Sequence, residues 1–318
     1  MNSKGLKAAV FAASTLLASA LMTGGAAQAA PDAPAAGSTV SHAQVESQAS
    51  LEAYWTPERM KNAKPANSIN SQGWADQGRT IMPKGGAEKV VKAPQNKPSL
   101  RAASEAPVSH IGKVFFTLGG QNYVCSANSV GSNNQNTVAT AGHCTHDLSA
   151  GWATKFVFVP GYQNGNSPYG MWSATSLHST SEWVSRNDIS YDGAFAVVAP
   201  LNGRTLAATV GASNIGFNMA RNLTYKAYGY PAASPFNGES LKSCYGTASR
   251  DNLGGTQSQG IPCDMTGGSS GGPWFVGSGS GGTQNSVNSF GYTSQKNVMY
   301  GPYFGSSIQQ AYTSASNR

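Results

Sequence analysis

Three side chains able to assemble a proton-relayed nucleophile occur in this sequence in the order His143, Asp192, Ser270. Each sits in a distinctive context: Ala141-Gly142-His143-Cys144, Asp192-Gly193-Ala194-Phe195 and Gly268-Ser269-Ser270-Gly271-Gly272-Pro273. A serine hydroxyl is a weak nucleophile at neutral pH. It needs an imidazole to take its proton, and the imidazole needs a carboxylate to fix its tautomer and orientation. All three residue types are present in settings that predict this chemistry.

His143 follows the apolar, small-residue run Thr137-Val138-Ala139-Thr140-Ala141, which predicts a strand delivering the imidazole at its end. His42, His110, His146 and His178 lack that setting. For the carboxylate, Asp188 competes with Asp192. The buried run Ala194-Phe195-Ala196-Val197-Val198 begins just after Asp192, so Asp192 is the expected partner and Asp188 a turn or capping residue. Asp147 is too close to His143 along the chain for the orienting role. Glycines around Ser270 let the backbone approach a substrate closely. The N–H groups of Gly268 and Ser270 are then expected to point into one concavity as an oxyanion hole. The same residues match Gly-x-Ser-x-Gly, the esterase elbow. That fold takes its partners in the order Ser, Asp, His, and no histidine follows Ser270, so the esterase reading fails.

The elements that must position these groups are predicted to be short strands. Runs at 114–118, 123–130, 137–141, 155–159, 194–199, 223–230, 274–276 and 287–292 are separated mostly by Gly, Asn, Ser or Pro clusters. This predicts an all-β sandwich or barrel, with one helix at 306–313. The cysteines Cys125, Cys144, Cys244 and Cys263 allow three disulfide pairings. Cys125–Cys144 and Cys244–Cys263 are favoured because each pair brackets one catalytic segment, and no CxxC spacing supports a zinc site.

The region ahead of the strands reads differently. Residues 1–29 have the form of a secretory signal peptide: Lys4 and Lys7, an apolar stretch over 8–21, then Ala27-Gln28-Ala29. Residues 30–101 are rich in Ala, Pro, Lys, Ser and Gln and predict a largely irregular, removable pro-segment, with Lys92, Lys97 and Arg101 as processing points. Its one strong local signal is Trp55-Thr56-Pro57, where Thr56 caps a short helix and Trp55 docks it. The formal charge is +7, but residues 1–101 carry 11 Lys+Arg against 6 Asp+Glu, and residues 102–318 carry 10 against 8. Most of the basic excess therefore lies outside the strand-rich region, and no basic stripe marks a nucleic-acid partner.

The segments Tyr123–Asn128, Ala139–Cys144, Asp192–Phe195, Cys263–Pro273 and Ser289–Gly291 resemble those of the secreted bacterial chymotrypsin-fold (trypsin-like) serine peptidases, near the branch that contains glutamyl endopeptidases. The resemblance spans about residues 110–305. It implies two six-stranded antiparallel β-barrels, split near residue 205, with the site in the cleft between them and a C-terminal helix. It implies a secreted, monomeric endopeptidase made as a zymogen, acting on protein or peptide substrates and needing no metal or cofactor. His143 is then general base, Asp192 its orienting carboxylate and Ser270 the nucleophile. The implied pocket walls include Asp264, Met265, Thr266, Ser289, Phe290 and Gly291.

Two departures from the family pattern stand out. Ser269 replaces the aspartate that receives a freed N-terminus during trypsin activation, and Asn288-Ser289 stands where glutamyl endopeptidases carry a pocket histidine. Asp264 lies six residues before Ser270, at the trypsin pocket-base position, and either reads basic side chains or is structural. The alternative function is a catalytically silent binding module on the same fold; all three triad positions are filled, which disfavours it. An adhesion role rests only on the Pro-rich N-terminal zone.

Overall fold

The structure is a computed structural model, and it describes Met1 and residues 37–66, 86–92, 105–277 and 279–318. The predicted signal peptide beyond Met1, and Lys97 and Arg101, lie outside the described residues.

The first half of the 105–318 region is a closed barrel. Strands β4 (Ile111–Leu118), β5 (Gln121–Ser129), β6 (Thr137–Thr140), β9 (Thr154–Pro160), β10 (Trp172–Thr180) and β11 (Ala194–Val198) pair antiparallel in the order β10-β11-β6-β5-β4-β9. β9 returns to β10 through Trp172 opposite Phe158, closing the ring. β4 is buried at all eight positions, yet its period of two survives. Val114, Phe116 and Leu118 enter the barrel core, while Ile111 and Phe115 join a second cluster outside it.

That outer cluster is covered from upstream. β1 (Thr39–Ala43) adds to the barrel edge along β10, from Thr39 opposite Thr180 to Ala43 opposite Ser176. Helices α1 (Gln48–Tyr54) and α2 (Pro57–Lys61) follow, with Thr56 accepting from the Arg59 N–H and Pro57 opening α2. Leu51, Trp55 and Met60 are buried against Phe115, Val157 and Val159. Full burial of such side chains contributes roughly 1.5–3 kcal/mol each. Short strands β2 (Lys64–Pro65) and β3 (Lys89–Val91) pair with β5 and with β12 of the second half. The described parts of 30–101 are therefore ordered onto the barrels, where the sequence predicted a largely irregular segment. Their polar composition hid this because only a few residues are buried.

A two-residue hairpin, β7 (His146–Asp147) and β8 (Gly151–Trp152), lies beyond the His143 turn. After α3 (Ser181–Arg186) and β11, helix α4 (Leu206–Val210) leads into the second half, near the predicted split. There β12 (Asn214–Phe217), β13 (Thr224–Gly229), β14 (Lys242–Thr247), β17 (Pro273–Val276) and β18 (Thr283–Val287) form one sheet with β3. β15 (Ser249–Arg250), β16 (Gln259–Pro262), β19 (Phe290–Tyr292) and β20 (Gln295–Gly301) form another. The ladders stay divided where β14 meets β16: a Cβ on Gly246 would lie 2.8 Å from the Pro262 ring, and proline has no N–H to bridge the gap. The β12–β18 pair is parallel, whereas the remaining pairings of these two sheets are antiparallel. Tyr225, Trp274, Ile261 and Met299 pack between the two sheets.

Helix α5 (Ser306–Ser316) crosses back to the first barrel. Ile308, Ala311, Tyr312 and Ala315 are buried in the barrel cluster, and Tyr312 donates to the Gly131 carbonyl at 2.6 Å. No helix among the described residues is long and apolar enough to cross a membrane. The disulfides are Cys125–Cys144 and Cys244–Cys263. The second joins β14 to the end of β16 across a separation of 19 residues. Loop closure of that size predicts a loss of about 3 kcal/mol in Cys244→Ala/Cys263→Ala, read by denaturant unfolding under oxidising conditions.

Candidate active site

The buried polar centre of the molecule is the Asp192 carboxylate, with no solvent exposure. A bare carboxylate there would cost several kcal/mol, and the fold meets this with three donors. The His143 N–H donates to Oδ1 at 2.8 Å, His143 Nδ1 lies 2.7 Å from Oδ2, and Ser289 Oγ donates to Oδ2 at 2.5 Å. With the carboxylate accepting, Nδ1 is the donor of this pair, and Nε2 is the ring nitrogen left for another partner.

Local structure explains the placement. β6 ends at Thr140, and after Ala141 a 3-10 turn, Gly142–Cys144, carries His143. Cys144 ties that turn to Cys125 on β5. Asp192 follows a second 3-10 turn, Ile189–Tyr191, and precedes β11. Asp188 caps this turn by accepting from the Ser190 N–H, and lies 3.8 Å from Arg186. The Asp147 carboxylate accepts from Ser149 and Ala150 in its own turn. Trp183 of α3 packs edge-on to the imidazole at 6.3 Å and donates to the His146 carbonyl.

Ser270 lies in a turn-rich loop, 3% exposed. The neighbour of Cys125 holds this loop: the Ser126 N–H donates to the Ser270 carbonyl at 2.7 Å and Ser126 Oγ to the Gly268 carbonyl at 2.9 Å. One strand, β5, thus fixes the His143 turn through Cys125 and the Ser270 loop through Ser126. Gly268 and Gly271 have φ of +93° and +78°, and a Cβ on Gly271 would overlap Thr140 Oγ1 and the Ser126 carbonyl. Among the described residues, no protein hydrogen bond engages the N–H of Gly268 or Ser270.

Both departures seen in the sequence turn inward. Ser269 Oγ donates to the Thr266 carbonyl within the loop. Asn288, fully buried, uses its whole amide: Nδ2 donates to the carbonyls of Tyr228 and Ser269, and Oδ1 accepts from the Trp274 indole at 2.7 Å. Sequence reasoning noted Asn288 only as a missing pocket histidine. Its clamp role depends on partners at 228 and 269 that no local pattern announces.

Ser270 opens on a cleft of about 320 Å³. Asp264, Met265, Thr266, Ser289, Phe290 and Gly291 all line it. So does Gln295–Met299 of β20, which the sequence reading missed although Val298-Met299-Tyr300 is a short β-prone run. Pro262 pairs with Val298, and the Cys263 N–H donates to the Asn297 carbonyl. Continuing that register sets Asp264 opposite Lys296, so the wall carries both signs of charge. The Ser270 loop is braced by residues 231–239: the Ala232 N–H donates to the Gly267 carbonyl, and Thr266 Oγ1 to the Ala233 carbonyl. Buried Lys113 donates to the Gly238 carbonyl and lies 4.1 Å over the Tyr162 ring.

Among the described residues, the one group of possible metal ligands is Cys125, His143 and Cys144. Both cysteines are consumed in a disulfide, so the donor set does not fit a metal.

No family model matches the chain. A protease named Anisep from Arthrobacter nicotinovorans is 58% identical, covering 68% of this chain and 99% of that one, with a TM-score of 0.66. The thermostable serine protease AL20 from an extremophilic microorganism is 56% identical over 66% of this chain and 98% of that one, with a TM-score of 0.64. A Glu endopeptidase solved in complex with MPD, 19% identical with a TM-score of 0.55 over 73% of this chain and 99% of that one, shares the fold. An extracellular metalloprotease of Bacillus subtilis (strain 168) is 41% identical over 59 residues, so the match spans only 19% of that relative. The chain belongs to the chymotrypsin-fold serine proteases and is a peptidase.

Two predictions follow from the bracing of the serine loop. Asn288→Leu strands two carbonyls and the Trp274 indole, at roughly 1–3 kcal/mol per group; a fall in Tm with a parallel fall in kcat is expected. Burial pushes the Lys113 ammonium down to about 8, against the pull of Glu239. Between about pH 8 and its ordinary value of 10.5, the unfolded chain binds more protons at this residue than the folded one. Wild type therefore gains stability relative to Lys113→Met as pH rises from 8 to 10; parallel unfolding curves across that range would contradict this.

Proposed function

We propose that this protein is a secreted serine endopeptidase that cleaves peptide bonds through an acyl-enzyme on Ser270. The observation that carries the reading is the His143–Asp192 pair, 2.7 Å apart and buried, beside a Ser270 loop held by the same strand. In the first half-reaction Ser270 Oγ attacks the substrate carbonyl while His143 Nε2 takes the hydroxyl proton. The developing oxyanion accepts from the N–H groups of Gly268 and Ser270. His143 then donates its proton to the leaving amine, and the C–N bond breaks. Water repeats the sequence in reverse roles, releasing the acid and restoring Ser270. Asp192 stays ionised and stabilises the imidazolium.

Asp264, Met265, Thr266, Ser289, Phe290 and Gly291 are proposed to receive the side chain before the scissile bond. With Lys296 in register opposite Asp264, the preference of the cleft for charge is decided by which of the two reaches the substrate. Residues 1–29 are proposed as an export signal and 30–101 as a pro-segment, leaving 102–318 as a monomeric enzyme. The Anisep alignment supports this division: it covers 68% of the chain, the share that residues 102–318 make up, and nearly all of that protease.

The test is cleavage of a complex peptide library by wild type and Ser270→Ala, read by mass spectrometry. Wild type is expected to cut and the variant to lose activity by roughly 10⁶-fold. Asp192→Asn is expected to lose about 10⁴-fold. Arg or Lys before the cut assigns Asp264 as the reader; other residues make it structural. A serine-directed phosphonylating reagent should abolish cleavage while a chelator leaves it intact. The opposite pattern would favour metal chemistry, and silence of both proteins after removal of residues 30–101 would favour a binding module.

A further inference from the structure

The N-terminal segment is expected, as a pro-segment, to be something the enzyme must lose. Its docking argues for a different role. Among the described residues of 37–66, none lines the cleft at Ser270. They lie instead behind the His143 turn and reach it by two routes. In the first, the Gly37 N–H donates to Glu182 Oε1 at 2.8 Å, and the Ser181 N–H to the Ser38 carbonyl at 2.9 Å. This seats the segment on the start of α3, whose Trp183 packs against the imidazole and donates to the His146 carbonyl. Glu182 is buried and also accepts from Ser307 of α5, so the contact is a built one. In the second, the His42 ring stacks on Trp152 at 5.4 Å and 7°, and Trp152 packs edge-on to His146 at 5.1 Å.

Further along, the segment is anchored by polar contacts with defined partners. Gln48 Nε2 donates to the Met171 carbonyl, Oε1 of the same amide accepts from the Ser173 N–H, and the Trp55 indole donates to the Lys155 carbonyl at 2.7 Å. Leu51, Trp55 and Met60 complete an apolar cluster that runs through Phe115 to Tyr228 and Phe275 of the second half. A cut between Ala66 and Gly86 severs none of these contacts.

We propose that residues 37–66 are a docked clamp that stiffens the His143 turn from behind, stays bound after the chain is cut downstream, and raises activity instead of plugging the site. The inference rests on reading the chain as one that is cut downstream of residue 66, and Ser270 as the nucleophile.

The test uses the full chain carrying a recognition sequence for a sequence-specific protease between Ala66 and Gly86. After the cut, the N-terminal fragment is expected to co-elute with the remainder in gel filtration, with Tm, kcat and KM on a peptide substrate close to those of the uncut chain. Adding Trp55→Ala should release the fragment on cutting, lower Tm and lower kcat several-fold with KM unchanged. His42→Ala, which leaves the anchor intact, should lower kcat without releasing the fragment. Release of the fragment with a rise in kcat would show a plug and overturn the proposal. Release with Tm and kcat unmoved would show a mere tether and overturn it too. If no form, cut or uncut, reacts with a serine-directed phosphonylating titrant, the Ser270 reading fails. Fragment retention and Tm still decide the docking in that case.

Discussion

A carboxylate with no access to water is the constraint on which this molecule is organised. Three hydrogen bonds satisfy the buried Asp192 carboxylate. Two come from His143 in the first half and one from Ser289 in the second. Docking of the halves and orientation of the imidazole are therefore one event. Separating the halves would remove the Ser289 hydrogen bond and open to water a carboxylate that the closed structure keeps dry. The same economy of means recurs at β5, where adjacent residues, Cys125 and Ser126, secure the His143 turn and the Ser270 loop from a single backbone.

The second half supplies rigidity by hydrogen bonds where the first supplies it by packing. Asn288 has no unused side-chain site, and it binds the loop, a strand carbonyl and an indole together. Ser269 satisfies its own loop. These two residues replace groups that in related proteases are charged or titratable. The serine loop is thus held in shape by neutral partners.

Much of this was legible in the sequence, and the reasons for the rest are physical. The strands near the site were readable because Val, Ile, Phe and Ala dominate them, as in Ile111–Leu118 and Ala194–Val198. The His, Asp and Ser contexts were readable because close backbone approach demands glycine, and because Asp192 immediately precedes a buried run. Trp172–Thr180 was missed although it is a three-way junction of the barrel, pairing with β1, β9 and β11. Its Ser, Thr and His residues look like loop, and they are buried because both edges and both faces are covered. His178 is the clearest case: its ring nitrogens meet Ser176 and Ser314, the latter 136 residues away. Gln259–Pro262 and Gln295–Gly301 were hidden by Gly, Pro and exposed polar residues. Residues 39–54 were hidden because their strand and helix are stable only against a surface formed far downstream, whereas Trp55, Thr56 and Pro57 announced the short docked helix that follows.

The crossing of α5 onto the first barrel carries a kinetic meaning. Tyr312 bonds to Gly131 across 181 residues of sequence. A contact of that span gains nothing until nearly the whole chain has been arranged, so its formation belongs late in folding. Until then the face formed by Phe195 and its neighbours lies open, although the strands that build it emerge early from the ribosome. A chain with such a topology begins to fold with an uncovered apolar wall. An upstream strand and helix pair that docks beside that wall, on sequence already synthesised, shortens the interval in which another molecule could find it first.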